Sequence, residues 1–432
     1  MKEGTTEIGF YFQDRGFNNI DLRTPNKGSN GVGGTQYSYA MVANALLEYS
    51  EKFNIAFYHY NEQLLPKGIR SVIVKESTEI LKKAEEDGIE VFVFTALSIK
   101  ELEGISTTSI KCIAWAHNYI LSDIIELLQN TVAVKRLVFV GKEQYDRYID
   151  HDIIKKSTFI YNMFDGTQFD NRDWPIEPVV TYTGALMFNR GFHVLAKVWK
   201  DIVKEVPNAR LNVIGSIKLY NNNAKTGSFG LADKDYEDLF LPYLMENEEL
   251  MPSVNFSSKN APTTATEKID IYSKTMVGVV NPSGKNETFG ISAVEMSACG
   301  IPVVASSING FFDTIVDKKT GYLIKNAKGL RKKIVRLLKQ QELNQRMGHA
   351  GKIFAEREFA PSRIIKQWLS LLDDVLQEKQ SVYMRPTRNY TSDLKWVRII
   401  IRFMRLCRIP IKPLINFESY VYKFFNRKRL NS

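Results

Sequence analysis

Apolar and polar positions along this chain fall into two successive series of short β-branched runs, separated by segments with an apolar residue every three to four positions. Runs of the first kind suit buried strands and segments of the second kind suit amphipathic helices, so the alternation predicts parallel sheets wound with helices. In the first series, strands are expected at residues 8–12, 53–58, 89–94, 111–116, 136–140 and 157–161, with helices at 35–49 and 120–128 among those between them. A turn-rich stretch at 165–178 (DGTQFDNRDWPIEP) breaks the pattern and marks a domain boundary. The second series has strands at 179–183, 211–214, 277–281 and 302–305, and helices at 192–203, 290–299, 330–339 and 341–358. A polar insertion at 215–252 is long for a strand-to-helix connection and reads as a lid or mobile segment. The expected fold is therefore α/β, with a domain at 1–170 and another at 178–360, each doubly wound and Rossmann-like. Ligands of such open sheets lie beyond the carboxyl ends of the strands, so two of them facing one another make a cleft.

At 432 residues, with 44% hydrophobic and 25% charged, the chain is globular, which excludes the disordered and fibrous classes. No run approaches the roughly 18 apolar residues that cross a bilayer. The first thirty residues lack the basic-then-apolar design of a leader. Cys112, Cys299 and Cys407 are scattered without a metal or disulfide spacing, as in a reducing cytoplasm. Charge changes the picture more. Residues 379–432 hold thirteen Lys/Arg against two Asp/Glu, a net +11, while the 378 residues before them hold 45 basic and 46 acidic side chains. A neutral body with a cationic appendage speaks against nucleic acid along a groove and for docking on an anionic surface.

The densest chemistry lies at 281–306, NPSGKNETFGISAVEMSACGIPVVAS. A buried strand ends at Asn281, a Pro/Gly/Ser loop follows, and a helix begins near Gly290. Glu287 stands just before that helix and Glu295 about a turn and a half inside it, so both can face one ligand. The backbone N–H groups of Thr288, Phe289 and Gly290 sit at the positive helix end, which suits a diphosphate. Elsewhere, Gly184 and Arg190 follow the first strand of the second series, and a guanidinium can bind phosphate oxygens in a bidentate manner. Gly33 and Gly34 open the first long helix, too far from strand 8–12 for a dinucleotide fingerprint. His117 follows strand 111–116, at a carboxyl end. The triplets Asp150-His151-Asp152 and Asp233-Lys234-Asp235 read as surface acid pairs, and no metal site is expected.

Asn281-Pro282-Ser283, Glu287-Thr288-Phe289-Gly290, Glu295 and the run from Ala298 to Ser306 closely resemble the donor-site signature of retaining GT-B glycosyltransferases of family 4, of the bacterial surface-polysaccharide type. The resemblance extends over about residues 1–378. It implies that Glu287 contacts the transferred sugar, Glu295 the nucleotide ribose, Arg190 the diphosphate, and His117 the donor sugar from the other domain. It further implies that Gly33 and Gly34 let the backbone approach the donor phosphate. The family commonly has a glycine where Thr288 stands and a second arginine where Ala185 stands, so Lys285 or the helix end is expected to supply the missing clamp.

The resemblance implies a metal-independent retaining hexosyltransferase that needs no cofactor. It would move a sugar from a UDP- or GDP-linked donor to a glycan or polyprenyl-diphosphate-linked acceptor in cell-surface polysaccharide synthesis. A sugar-nucleotide epimerase of the same fold and an inactive membrane-peripheral scaffold are the competing readings. Residues 361–378 resemble the family's helix that crosses back to the first domain. In 393–409, Lys395, Arg398, Arg402, Arg405 and Arg408 fall within one arc at 100° per residue, with apolar residues filling most of the rest. That pattern, with a second basic-aromatic cluster at 420–429, predicts a tail lying on the anionic inner face of the membrane, on the cytoplasmic side.

Overall fold

The computed structural model describes residues 5–430 apart from 17–18, 28–32, 170–173, 176, 216, 218–224 and 258–264. Parts of the boundary stretch at 165–178, of the insertion, and of the loop before Gly33 thus lie outside the described residues, as do the side chains of 426–430. The chain forms two compact units, one of residues 1–19, 39–162 and 364–432, the other of 20–38 and 163–363.

The first unit is built from β1 (Thr6–Tyr11), α1 (Gly34–Tyr49) beyond its first turn, which belongs to the second unit, β2 (Phe53–His59), β3 (Ile69–Ile73), α2 (Ile80–Glu86), β4 (Val91–Thr95), β5 (Lys111–Ala116), α3 (Ser122–Asn130), β6 (Val134–Phe139), α4 (Lys142–Asp146) and β7 (Ser157–Phe159). All seven strands pair in parallel in the order β3-β2-β1-β4-β5-β6-β7. Helices on both faces bury the inner strands on two sides, which is why VFVFT in β4 is apolar almost throughout. β3 lies at the edge with three of its five positions exposed, so it leaves no apolar run in the sequence.

The second unit contains β8 (Val179–Thr183), α5 (Phe192–Glu205), β9 (Arg210–Ile214), α6 (Lys234–Phe240), a small hairpin of β10 (Met245–Glu246) and β11 (Glu249–Leu250), and β12 (Val254–Phe256). It continues with α7 (Ala265–Tyr272), β13 (Val277–Val280), α8 (Ile291–Ala298), β14 (Val303–Ser306), α9 (Phe311–Thr314), β15 (Gly321–Ile324), α10 (Ala327–Lys339) and α11 (Gln341–Phe359). Its parallel sheet runs β12-β9-β8-β13-β14-β15. In both sheets the order reverses beside the first strand, between β1 and β4 and between β8 and β13, and such switch points open a crevice at the carboxyl ends.

The insertion at 215–252 is not simply a lid. Asp233 caps α6 by accepting the Tyr236 N–H at 3.0 Å, and Tyr236, Phe240, Leu241 and Leu244 are buried in the core of the second unit. The buried Glu237 carboxylate accepts the backbone N–H groups of Phe229, Leu231 and Ala232 at 3.0, 2.6 and 2.9 Å. An apolar face at helical spacing outweighed the polar composition of the stretch.

From Ile364 the chain belongs to the first unit again, through most of α12 (Pro361–Leu376), then α13 (Lys395–Leu406) and α14 (Leu414–Leu430). Here the orientation corrects the sequence reading. Lys395 and Arg398 are 1% and 0% exposed, so the basic arc of α13 faces inward onto the unit's body. Lys395 Nζ lies 3.0 Å from both Glu143 Oε1 and Asp146 Oδ2, and Arg398 pairs with Asp150 at 3.5 Å and Glu418 at 2.6 Å. Arg405 pairs with Asp152. Asp150 and Asp152 are thus not a plain surface pair; Asp150 is buried and also accepts the Leu414 N–H at 2.6 Å. A helical wheel gives the arc but not the side that faces the body, and here four carboxylates of residues 143–152 chose it.

Candidate active site

The best-built polar constellation stands at the switch point of the second unit. After β8 ends at Thr183, Gly184 donates its N–H to Ile214 O at 3.0 Å, and the chain turns through a short 3-10 segment to Arg190. Gly191 caps α5 in the left-handed region at φ 74°, and a Cβ there would lie 2.5 Å from the backbone nitrogen of Ser283. Only glycine accommodates both demands. The loop after β13 is thereby drawn against the β8–α5 turn. The Ser283 hydroxyl lies 3.0 Å from Asn189 O and 2.7 Å from Asn281 Oδ1, and the Asn281 amide donates to Lys285 O at 2.9 Å. Asn281 and Asn286 take positive φ, a conformation that asparagine tolerates better than most residues.

This clamp brings Arg190 and Glu287 together, with Nη1 2.6 Å from Oε2 and side chains 26% and 14% exposed. The two residues are 97 positions apart, yet they meet directly across the switch point. Lys285 Nζ lies 4.7 Å from the centre of the Phe188 ring, on the same turn. A Gly191→Ala variant is expected to lose roughly 2 kcal/mol or more, from the left-handed backbone and the approach to Ser283 together. Urea unfolding checks this.

Glu295 occupies the fifth position of α8 and is 7% exposed. Lys268 Nζ stands 2.8 Å from its Oε1, and the Tyr272 hydroxyl donates to its Oε2 at 3.4 Å. Burial, with the Glu295 charge beside it, pushes the Tyr272 hydroxyl pKa well up, so it remains a donor. Tyr37, on the first turn of α1, is also raised by burial and by the Glu295 charge. Lys268 and the two tyrosines escaped the sequence reading because nothing in their spacing ties them to 281–306. Gly33 and Gly34 act as the entry of α1, their carbonyls accepting the Tyr37 N–H at 3.0 Å and the Ser38 hydroxyl at 2.8 Å. Gly31 and Val32 are outside the described residues.

Gly290 ends the loop at φ 84°, and α8 begins one residue later. Gly310 packs against the Thr288–Phe289 peptide, where a Cβ would come within 2.4 Å, and it donates its N–H to Glu287 O at 3.0 Å. The Phe289 side chain is buried against Phe359 at 5.3 Å between centroids, so any contact of Phe289 with ligand is left to its backbone.

His117 belongs to the first unit, directly after β5. It is 8% exposed, its ring centre 4.4 Å from that of Trp115 and 5.9 Å from that of Tyr39. Burial lowers its pKa to about 3, which leaves the imidazole neutral at physiological pH. Above about pH 6.5 neither the folded nor the unfolded chain protonates this ring. As pH falls from about 6.5 toward 3 the unfolded chain takes up the proton first, so the folded state loses stability. A His117→Asn variant is therefore expected to lose less stability than wild type between about pH 7 and pH 5, read from melting curves across that range.

Among the described residues, no group of three or more His, Cys, Asp or Glu is placed to hold a metal ion. No helix of the described residues is long and apolar enough to cross a membrane.

Two parallel-sheet α/β units of this strand order match the GT-B class of glycosyltransferase folds. Residues 167–354, nearly all of the second unit, match the family described as glycosyl transferases group 1, which supports that family for this part of the chain. The chain is 26% identical over 204 residues to the capsular polysaccharide biosynthesis glycosyltransferase CapM of Staphylococcus aureus, 47% of each protein. It is 23% identical over 372 residues to an uncharacterized glycosyltransferase of Haemophilus influenzae, covering 79% of this chain and 96% of the other. The first of these alignments spans about half the relative's length, and two other relatives are spanned over 26% and 42%. Among solved structures, Anabaena Alr3699/HepE in complex with UDP and glucose superposes with a TM-score of 0.62 at 15% identity, over 85% of this chain and 100% of that one.

Proposed function

We propose that this protein transfers a hexose from a nucleoside-diphosphate sugar to a glycan or polyprenyl-diphosphate-linked acceptor, with retention of configuration and without a metal. The observation that carries this is the Arg190–Glu287 pair at the carboxyl ends of β8 and β13. It sets a fixed cation for a leaving diphosphate beside a carboxylate that can order sugar hydroxyls. A UDP-linked donor fits the likeness to HepE, whose structure holds UDP and glucose, and cell-surface polysaccharide synthesis fits the likeness to CapM.

In this reading Arg190, Lys285 and the backbone at Thr288–Gly290 carry the charge that develops as the anomeric carbon–oxygen bond to the diphosphate breaks. Glu295, held by Lys268 and Tyr272, orders the ribose. The acceptor hydroxyl attacks from the face the diphosphate leaves, and its proton passes to the departing diphosphate oxygen. His117, neutral, serves as a hydrogen-bonding group for the sugar. The enzyme works at the inner face of the membrane, where a lipid-linked acceptor lies.

The test is incubation of the purified protein with UDP- and GDP-hexoses and cell membranes in the presence of EDTA, followed by NMR of the product. A glycoside with the donor's anomeric configuration is expected. An inverted product overturns the retaining mechanism, and a new sugar nucleotide formed without acceptor overturns transfer altogether.

A further inference from the structure

The inward turn of the basic arc has a counterpart on the other side of the tail. An amphipathic helix of a globular protein normally buries its apolar stripe and shows its charges to water. α13 does the reverse. Trp396, Ile400, Phe403 and Leu406 step along its outer side at 51, 49, 66 and 69% exposure. On α14, Phe417 and Tyr420 are 65% and 68% exposed, while Ile415 and Ser419 face the body, Ser419 accepting the Ser122 N–H at 2.9 Å. Exposed apolar side chains at this density mark an interaction surface.

The cations of α13 are occupied elsewhere. Lys395 and Arg398 are paired in the interior, Arg402 donates to Ile149 O at 2.9 Å and covers the Tyr383 ring at 3.8 Å, and Arg405 pairs with Asp152. Arg408 and Lys412, on the connection between the helices, are exposed. The tail's two acids are not: Asp393 and Glu418 are partly buried and both face Arg147. An aromatic and aliphatic surface edged by cations, on a tail whose own two carboxylates are partly buried, is complementary to an anionic bilayer interface; the acids beside it on the first unit are engaged by the tail, Asp123 by Lys423, Asp152 by Arg405 and Glu126 by the Asn416 amide. Against a second copy of the chain it would set like charges beside one another.

We propose that α13 and α14 form an inverted amphipathic hairpin that inserts its outward apolar face into the interfacial layer of an anionic bilayer, the basic side of α13 anchoring the hairpin to the first unit. This rests on the membrane location proposed above and changes its mode from electrostatic tethering to insertion. Attachment by insertion resists salt, whereas a polybasic tether is screened within about a Debye length.

The experiment is sedimentation of the full chain with vesicles of phosphatidylcholine and phosphatidylglycerol, at low salt and at about 0.5 M NaCl. Wild type is expected to bind in both, with a blue shift of Trp396 emission that a Trp396→Phe variant lacks. A Phe403→Glu/Leu406→Glu variant, altered only at exposed positions, is expected to bind at least about tenfold more weakly. Replacing Arg408 or Lys412 by glutamine should reduce the preference for anionic vesicles by only about fivefold each. Melting curves of each variant establish that it is folded. Binding that disappears in high salt and survives Phe403→Glu/Leu406→Glu would overturn insertion while leaving the membrane location standing. No binding to any vesicle would overturn both. A wild-type dimer that the double variant dissociates, seen by light scattering, would assign the face to a second copy instead. Nucleotide-diphosphate binding, measured on the same double variant, should be unchanged, so none of these results bears on the donor site.

Discussion

Replacing Arg190 by methionine is expected to lower the rate of sugar transfer by about 10²- to 10³-fold, the usual consequence of removing one fixed charge that stabilises a leaving oxyanion. The expectation rests on position as well as charge. Arg190 is set by a left-handed glycine on one side and by the 281–285 loop on the other, and its guanidinium is already within 2.6 Å of the carboxylate assigned to the sugar. Arg190→Lys should recover part of the rate, since an ammonium keeps the charge but loses the planar fork. Melting of the methionine variant should stay close to wild type because the pair is partly exposed, and pairs of that kind contribute little to stability. A variant that transfers sugar at the wild-type rate would remove Arg190 from the reaction.

Replacing Lys395 by methionine is expected to cost about 3–5 kcal/mol of stability, because it strands the buried Glu143 carboxylate, whereas Asp146 keeps its pair with Lys142. Glu143 and Asp146 are 1% and 0% exposed at the side chain, and Lys395 is the cation that faces both. Thr387 and Asn389 complete the cluster, each hydrogen-bonded to the Lys395 ammonium and to one of those carboxylates or both. Removing one partner of such a set is far more costly than the set itself is stabilising. For a unit of this size the melting point should fall by roughly 10 °C. Combining Lys395→Met with Glu143→Gln should restore part of the loss. A single variant that melts with wild type would show that the tail is not held through this cluster.

Much of the fold and of the candidate site's clustering was legible in the sequence, for reasons that can be located. The inner strands of both sheets are sealed on two faces, so β4, β8 and β13 are buried at every position and rich in β-branched and aromatic residues, a pattern that a linear reading finds. β3, β12 and β15 are outer strands of three to five residues with exposed or half-buried positions, and they leave no such run. The 281–306 motif was readable because its residues are contiguous. Lys268 was not, since it reaches Glu295 from 27 positions upstream on a helix without a motif of its own. In the tail, composition gave the charge and periodicity gave the arc. The direction of that arc depends on Glu143, Asp146, Asp150 and Asp152, which resemble ordinary surface acids until the fold assembles them into a socket. The same long-range effect turned part of the 215–252 insertion into core through Tyr236 and Phe240.

Reception of a nucleoside diphosphate on Arg190, at the switch point of the second unit, is tested most directly by thermal-shift titration of wild type and Arg190→Met with UDP, GDP, ADP and dTDP in EDTA. Wild type should gain stability with at least one of them in proportion to the logarithm of ligand concentration, and the variant should need at least about tenfold more ligand for the same gain. Equal gains in both proteins, or none with any nucleotide, would contradict the account.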